Sequence, residues 1–440
     1  MNSSMEKPTH RAYLMLSIPL ILSTITTPLL GAVDTAVVGH LFDPSYLGGT
    51  AIGVLIFNTL YWLFGFLRVS TSGFAAQSRG KKDLTEGMSE LIRPLMVAGL
   101  IGLAFIALQT PILQGALSLT QPEADVAKWA SVYFQVRIWG APLTLLNYVL
   151  LGWLMGMSHI KYTLLMQISM NVLNIVLCLW FVQGFQWGVA GVAAASLFAE
   201  GLAFLLGVIF VLRSPYMKVS LLRWRGQFQR KELKRMFRAN GDLLIRTVCL
   251  LAMFNLFTAQ STSFGTELLA ANTILLQIHY IMAYFFDGLA NASSIYSGQA
   301  RGSGNRKLLA ATLQLSWIWG GLTSIVLAGL YQLTKGKLFT LFTDNESIKQ
   351  IALQYDGWLF LFPLVTGLGL VFYGVFTGLT YTGPVRNSML LSLAVFLLGL
   401  QFLVPGYGNH GLWVSFLLFG LGRSLFLLMY VPGLLKKLPG

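Results

Sequence analysis

Asp34 is the group in this sequence best placed to do chemistry. It stands in Gly31-Ala-Val-Asp-Thr-Ala-Val-Val-Gly39, within the long apolar run Ile18–Val38 and six residues beyond Pro28. Low-dielectric surroundings disfavour the charged form of a carboxyl group, which brings its proton exchange toward neutral pH. A proline inside a helix removes one backbone hydrogen bond and crowds the preceding turn, so the helix can bend there. Asp34 with the hinge Pro28 therefore suits coupling of protonation to bending; the alternative is an aspartate hydrated at a helix end. A polar stripe supplies the next candidates. Gln167, Asn171 and Asn174 recur at i, i+4 and i+7, which places them on one helical face. On an apolar helix such a face meets a cavity or another helix, so proton relay, ligand contact and plain interhelical bonding all stay open. Asn147 is a weaker case of the same kind. Arg68, Arg137 and Glu200 are charges inside apolar runs, each costly enough to need an explanation; mutual pairing or snorkelling that fixes packing accounts for them. Asp287 rivals Asp34 as an ionisable group, whereas Asp356 reads as interfacial.

Other chemistries find no support in the residues. His10, His40, His159, His279 and His410 show no metal-ligand spacing, and Cys178 and Cys249 suggest neither a disulfide framework nor a metal site. No Gly-rich loop ends in Gly-Lys-Ser/Thr, so ATP-driven transport is unsupported, and neither an enzyme nor a cofactor is expected. Any work must come from an ion gradient. The membrane potential supplies about 2.3 kcal/mol per charge per 100 mV, and a pH difference about 1.36 kcal/mol per unit and proton.

The elements that position these groups are membrane helices. Of the 440 residues, 55% are hydrophobic and 10% charged, far from the roughly 25% charged residues of a soluble domain. Apolar runs of spanning length recur without strand-like alternation, and backbone buried in lipid must pair internally, so the runs are helices and not barrel strands. Twelve are expected: 12–40, 47–77, 92–118, 126–158, 161–185, 188–212, 240–264, 268–298, 308–332, 348–378, 385–404 and 410–433. No cleavable leader is expected, since the first run is long and lacks a small-residue cleavage pattern. Of the thirty Lys and Arg, twenty-two fall in or beside the termini and the even-numbered connections, and four in the odd-numbered ones. Both termini are thus expected on the cytoplasmic side of the membrane. The net charge of +14 then reflects topology, and no nucleic-acid partner is expected.

The runs form two copies of one unit. Gln77-Ser-Arg-Gly80 and Gln299-Ala-Arg-Gly302 lie 222 residues apart, as do Gly156 and Gly378. Pro142 and Pro363 differ by 221, and Gly188-Val-Ala-Gly191 and Gly408-Asn-His-Gly411 by 220. Near-constant spacing of four landmarks marks an internal repeat. The fold class is therefore an all-α membrane protein of two six-helix lobes related by a parallel pseudo-two-fold axis, which suits alternating access. The domains are an N-terminal lobe, 1–212, a basic cytoplasmic linker, 213–238, and a C-terminal lobe, 239–440. The linker, with nine Lys and Arg against Glu232 and with Trp224 and Phe228 interleaved, would lie on anionic membrane lipids.

With these residues in view, the chain resembles the multidrug and toxic compound extrusion (MATE) family, closest to its DNA-damage-inducible F (DinF) branch. Val33-Asp-Thr-Ala-Val-Val-Gly39 looks like the family's first-helix motif. Asn174-Ile-Val-Leu177 followed by Gly188-Val-Ala-Gly-Val-Ala193 looks like its span-five-to-six motif, and the Gln-x-x-Gly loops fit. The resemblance implies two six-helix lobes around a V-shaped cavity and export of amphipathic, often cationic small molecules by cation antiport, with Asp34 as the proton-binding carboxylate and Asn174 beside it. Two departures favour protons over sodium: Cys178 stands where an aspartate often follows, and span seven, with the stretch Leu364-Val-Thr-Gly-Leu of span ten, lacks the acids of the sodium-coupled branch. A sodium-coupled exporter and a lipid or glycan-intermediate flippase are the alternatives. A monomer is expected. By the same offset Asp34 faces Leu256 and Asn174 falls near Ala394 to Phe396, so the coupling chemistry is expected in the first copy alone.

Overall fold

The computed structural model describes residues 8–39, 44–216 and 229–437, with side chains of 26–39 and of Pro44 left aside. The described residues are helical nearly throughout. In chain order the helices are α1 His10–Gly39, α2 Pro44–Phe64, α3 Phe66–Lys81, α4 Leu84–Ala107, α5 Gln109–Thr120, α6 Ala124–Arg137, α7 Ala141–Gly156, α8 Ile160–Leu179, α9 Gly188–Leu212, α10 Arg230–Thr262, α11 Thr266–Ser303, α12 Arg306–Phe342, α13 Glu346–Gly378, α14 Gly383–Phe402 and α15 Val404–Leu428. Taking α2 with α3 and α6 with α7 as single spans, eleven helices are long and apolar enough to cross a membrane. The apolar stretch His10–Ile25 of α1 completes the expected twelve.

The chain divides into two compact units. Residues from Ile25 to Met236 form the first, and those up to Thr24 with those from Phe237 onward form the second. The expected first lobe begins at residue 1, but α1 is shared: its opening turns pack on the second unit. The Tyr13 hydroxyl reaches Ser293 Oγ at 2.7 Å and donates to the Leu289 carbonyl at 3.2 Å. Gly288 lets the Ile21 backbone come close, where a Cβ would collide. Likewise the first turns of α10 dock on the first unit, with Arg235 over the Phe74 ring at 4.9 Å and donating to Gln77. Residues 217–228 of the basic linker lie outside the described residues.

The repeat is visible atom by atom. In the first unit α3 packs on α7, and in the second α11 packs on α13. Gly152 and Gly156 meet the carbonyls of Arg68 and Ser72, while Gly374 and Gly378 meet those of Ala290 and Ser294; a Cβ at any of the four would strike that oxygen. Small residues four apart allow such backbone approach between membrane helices. The loop landmarks follow. Arg79 donates to the Met157 carbonyl at 2.7 Å, and Arg301 to that of Leu379. Asp83 caps α4 by accepting from Glu86 N–H, and Asn305 caps α12 by accepting from Leu308 N–H, both at 2.9 Å. Each cap follows a left-handed residue, Lys82 (φ 57°) or Gly304 (φ 66°), and Gly188 and Gly408 share φ 53°. The copies differ at their centres. The first is broken by a 3-10 turn, Ile138–Gly140, where the second runs continuously through Pro363 in α13.

Candidate functional site

In the first unit the polar side chains gather around α9. Arg137, at the end of α6, donates two hydrogen bonds to Glu200, Nη1 to Oε2 at 2.6 Å and Nη2 to Oε1 at 2.5 Å. Both residues are buried, and the guanidinium also lies 5.6 Å from the rings of Phe57 and Tyr61. The 3-10 turn positions Gly140 against this pair; a Cβ there would sit 2.7 Å from Glu200 Oε2. A bidentate, ring-covered pair compensates the desolvation of both ions. Asn147 on α7 donates to the Glu200 carbonyl at 3.0 Å, and Asn174 on α8 donates to Ser196 Oγ at 2.8 Å. Ser196 and Glu200 lie one turn apart on α9, so one helical face holds both asparagines.

Both asparagines keep an unused acceptor. Asn147 Oδ1 and Asn174 Oδ1 are buried without a hydrogen-bond partner among the described residues. A buried oxygen in that condition costs about 1–3 kcal/mol, which a bound donor would recover. Gln167 and Asn171 are buried on the same helix, so the expected stripe faces the interior of the unit and not lipid.

Other candidates fall elsewhere. Mutual pairing or snorkelling is expected for Arg68, Arg137 and Glu200, and the last two pair with one another. Arg68 is half-buried, makes no hydrogen bond or ion pair among the described residues, and has Tyr148 as an electrostatic neighbour. Asp356, expected at the interface, is held by Lys335 at 2.5 Å. Asp34 and Pro28 lie on α1, but their side chains are outside the described residues.

The second unit carries polar clusters of its own. Asp287 on α11 shares a half-buried cluster with Arg246 on α10, Tyr373 on α13 and Arg423 on α15. A separate network lies deeper. Asn272 donates to Ser261 Oγ (2.9 Å) and Asn409 Oδ1 (2.7 Å), and its own Oδ1 accepts from Asn409 (3.1 Å) and Trp413 (2.9 Å). That network is saturated and welds α11 to α15 beside the left-handed Gly408. No motif singles out Ser196 or Asn272, and Asn409 enters only as part of Gly408-Asn-His-Gly411. Ser196 had one available signal, its i, i+4 spacing to Glu200.

Two units with the same arginine anchors, caps and glycine contacts set the frame for comparison with known proteins. The MatE family profile matches residues 19–180 and again 243–403, once per copy. The chain belongs to the MatE family. It is 34% identical over 415 residues to the DNA damage-inducible protein F of Escherichia coli (strain K12), covering 93% of this chain and 89% of that one. A probable multidrug resistance protein NorM of Rhizobium meliloti (strain 1021) is 27% identical, covering 96% of this chain and 92% of that one. Among solved structures, an outward-facing multidrug resistance MATE family transporter of the MOP superfamily superposes with TM-score 0.89 at 19% identity, over 98% of this chain and 97% of that one. The MATE chain described here is thus a multi-pass membrane protein with the fold of those transporters.

Proposed function

We propose that this MATE protein exports amphipathic, often cationic small molecules by antiport against protons, from a bacterial inner membrane with both termini in the cytoplasm. Its relatives named for multidrug resistance support the cargo class. The observation that carries the coupling reading is the pair of buried, unpartnered oxygens, Asn147 Oδ1 and Asn174 Oδ1, beside a saturated Arg137–Glu200 pair. Acceptors held dry next to neutralised charge suit a neutral protonated group such as a carboxylic acid, because its O–H supplies the missing donor without adding an unpaired ion. Asp34 is the carboxylate that would bind the proton, Gln167 and Asn171 would extend the relay, and bending of α1 at Pro28 would follow protonation. No bound cofactor enters the scheme. Sodium is the lesser alternative.

The deciding experiment is efflux from proteoliposomes under an imposed pH or sodium gradient, for wild type and Asp34→Asn. A pH gradient should drive wild-type efflux, and Asp34→Asn should abolish it while the protein still purifies as a folded monomer. Undiminished efflux in that variant would remove Asp34 from the mechanism. Efflux driven by sodium at equal pH would replace the proton as coupling ion.

A further inference from the structure

The charges inside the spans of the second unit do not balance. Asp242 is used up by Arg386 (2.8 Å) and by the Thr382 hydroxyl (2.7 Å), and Asp356 by Lys335. Left together are two guanidiniums, Arg246 and Arg423, and one carboxylate, Asp287. Arg246 lies over the Tyr373 ring, its Cζ 4.0 Å from the centroid. Arg423 has Arg246, Asp287 and Tyr373 as its electrostatic neighbours. All four side chains are half-buried and so keep part of their surface uncovered by the protein.

The same helices carry an apolar wall above this cluster. Phe254 follows Arg246 by eight residues on α10, and Tyr280 precedes Asp287 by seven on α11. The two rings meet at 5.2 Å, and both are half-exposed. At 1.5 Å per residue the rings stand about 10–12 Å along the helices from the charges. An excess cation at one end of an aromatic wall is costly in a membrane unless an anion joins it. Guanidinium groups match carboxylates, sulfonates and phosphates through parallel donors.

We propose that Arg246 and Arg423 of the second unit bind the head of a monoanionic amphiphile whose apolar body lies along Phe254 and Tyr280. Asp287 sets the affinity by cancelling one of the two positive charges, so that one negative charge, and not two, brings the site to neutrality. This extends the exporter reading to acidic cargo and rests on that reading only for transport; binding itself needs no gradient.

Two fluorescent probes with the same body, pyrenebutanoate and the matching pyrenebutyl-trimethylammonium cation, test it against full-length protein in zwitterionic nanodiscs. The anion should bind about tenfold more tightly than the cation, the equivalent of about 1.4 kcal/mol. Arg246→Gln and Arg423→Gln should each lose about tenfold or more of anion affinity, with Arg423→Lys restoring part of it. Asp287→Asn should tighten anion binding several-fold and weaken the cation, an opposite sign that a purely structural role does not produce. Competition by added phosphatidylglycerol would assign the site to a lipid head group, and its absence to a soluble amphiphile; both keep the anion site. Equal binding of the two probes, anion affinity untouched by either glutamine variant, or weaker anion binding in Asp287→Asn would overturn the proposal. Failure of proton-driven efflux in proteoliposomes would strike the exporter reading and leave these binding results standing.

Discussion

The two units share a backbone frame and treat charge in opposite ways. In the first, Arg137 and Glu200 neutralise one another in a buried bidentate pair under Phe57 and Tyr61. At the corresponding places of the second stand Leu359, which is fully buried, and Gly420, which packs against Thr366. The second unit instead carries the half-buried Arg246, Asp287 and Arg423; Gly65 and Ala203 of the first stand opposite Asp287 and Arg423. A repeat conserves what the backbone demands, the close glycine contacts and loop anchors, because two copies of a helix pair have one way to approach closely. Side chains lining each unit are free to diverge. The buried charges of one unit neutralise one another, while the half-buried charges of the other leave an excess of positive charge.

The comparison can be tested where the units differ and where they agree. The largest effect is expected from Arg137→Leu, the residue of the second copy placed in the first. It leaves Glu200 buried without compensation and should destabilise the protein by about 3–5 kcal/mol, seen as a lowered unfolding midpoint in detergent. Adding Glu200→Gln should recover most of the loss; a double variant as unstable as the single would show that packing and not charge governs the site. Next, Gly152→Ala and Gly374→Ala should cost similar amounts, about 1–3 kcal/mol each, since both force a helix pair apart at a carbonyl. A large asymmetry would break the claim that the frame is common to both units.

Smaller is the expected effect of Asn174→Ala on stability. The Ser196 bond is worth about 1 kcal/mol, partly offset by removing the unsatisfied Oδ1, while proton-driven efflux should fall much further. Efflux that merely tracks stability would reduce the asparagine stripe to packing. The smallest effect concerns His159, in the turn between α7 and α8, where Nε2 lies 2.8 Å from Ser214 Oγ and the ring touches Tyr216. Burial, and then the Arg79 charge, hold this imidazole below its ordinary value of 6.5. The folded state therefore binds fewer protons than the unfolded one, and the stability it contributes is present above pH 6.5 and lost as pH falls below it. His159→Gln should flatten that part of the pH–stability profile, read by thermal unfolding between pH 5 and 7.

Much of the fold was legible because membrane helices announce themselves locally. Apolar runs gave the twelve spans, and the recurrence of Gln77 at Gln299 and Gly156 at Gly378 gave the repeat. The helical spacing of Gln167, Asn171 and Asn174 gave a buried stripe, since three residues on one turn-repeat must share a face. The Arg137–Glu200 pair was legible only as a pair of costly charges. Their meeting depends on α6 and α9, 63 residues apart in sequence, and Arg68 shared every local property of Arg137 without joining it.

Sequence by itself determined the solvent, the helices and the two-fold repeat, because each follows from local hydropathy, proline and glycine placement and internal spacing. Tertiary structure alone decided which polar groups are satisfied. Asn272 and Asn174 are both asparagines in apolar helices, yet the first has its carbonyl oxygen saturated by Asn409 and Trp413 and the second leaves its own without a partner among the described residues. The balance of charge in each unit was decided in the same way. The reason is physical: burial makes an unpaired donor, acceptor or ion costly, but whether a partner stands within 3 Å depends on helices that are distant in the chain.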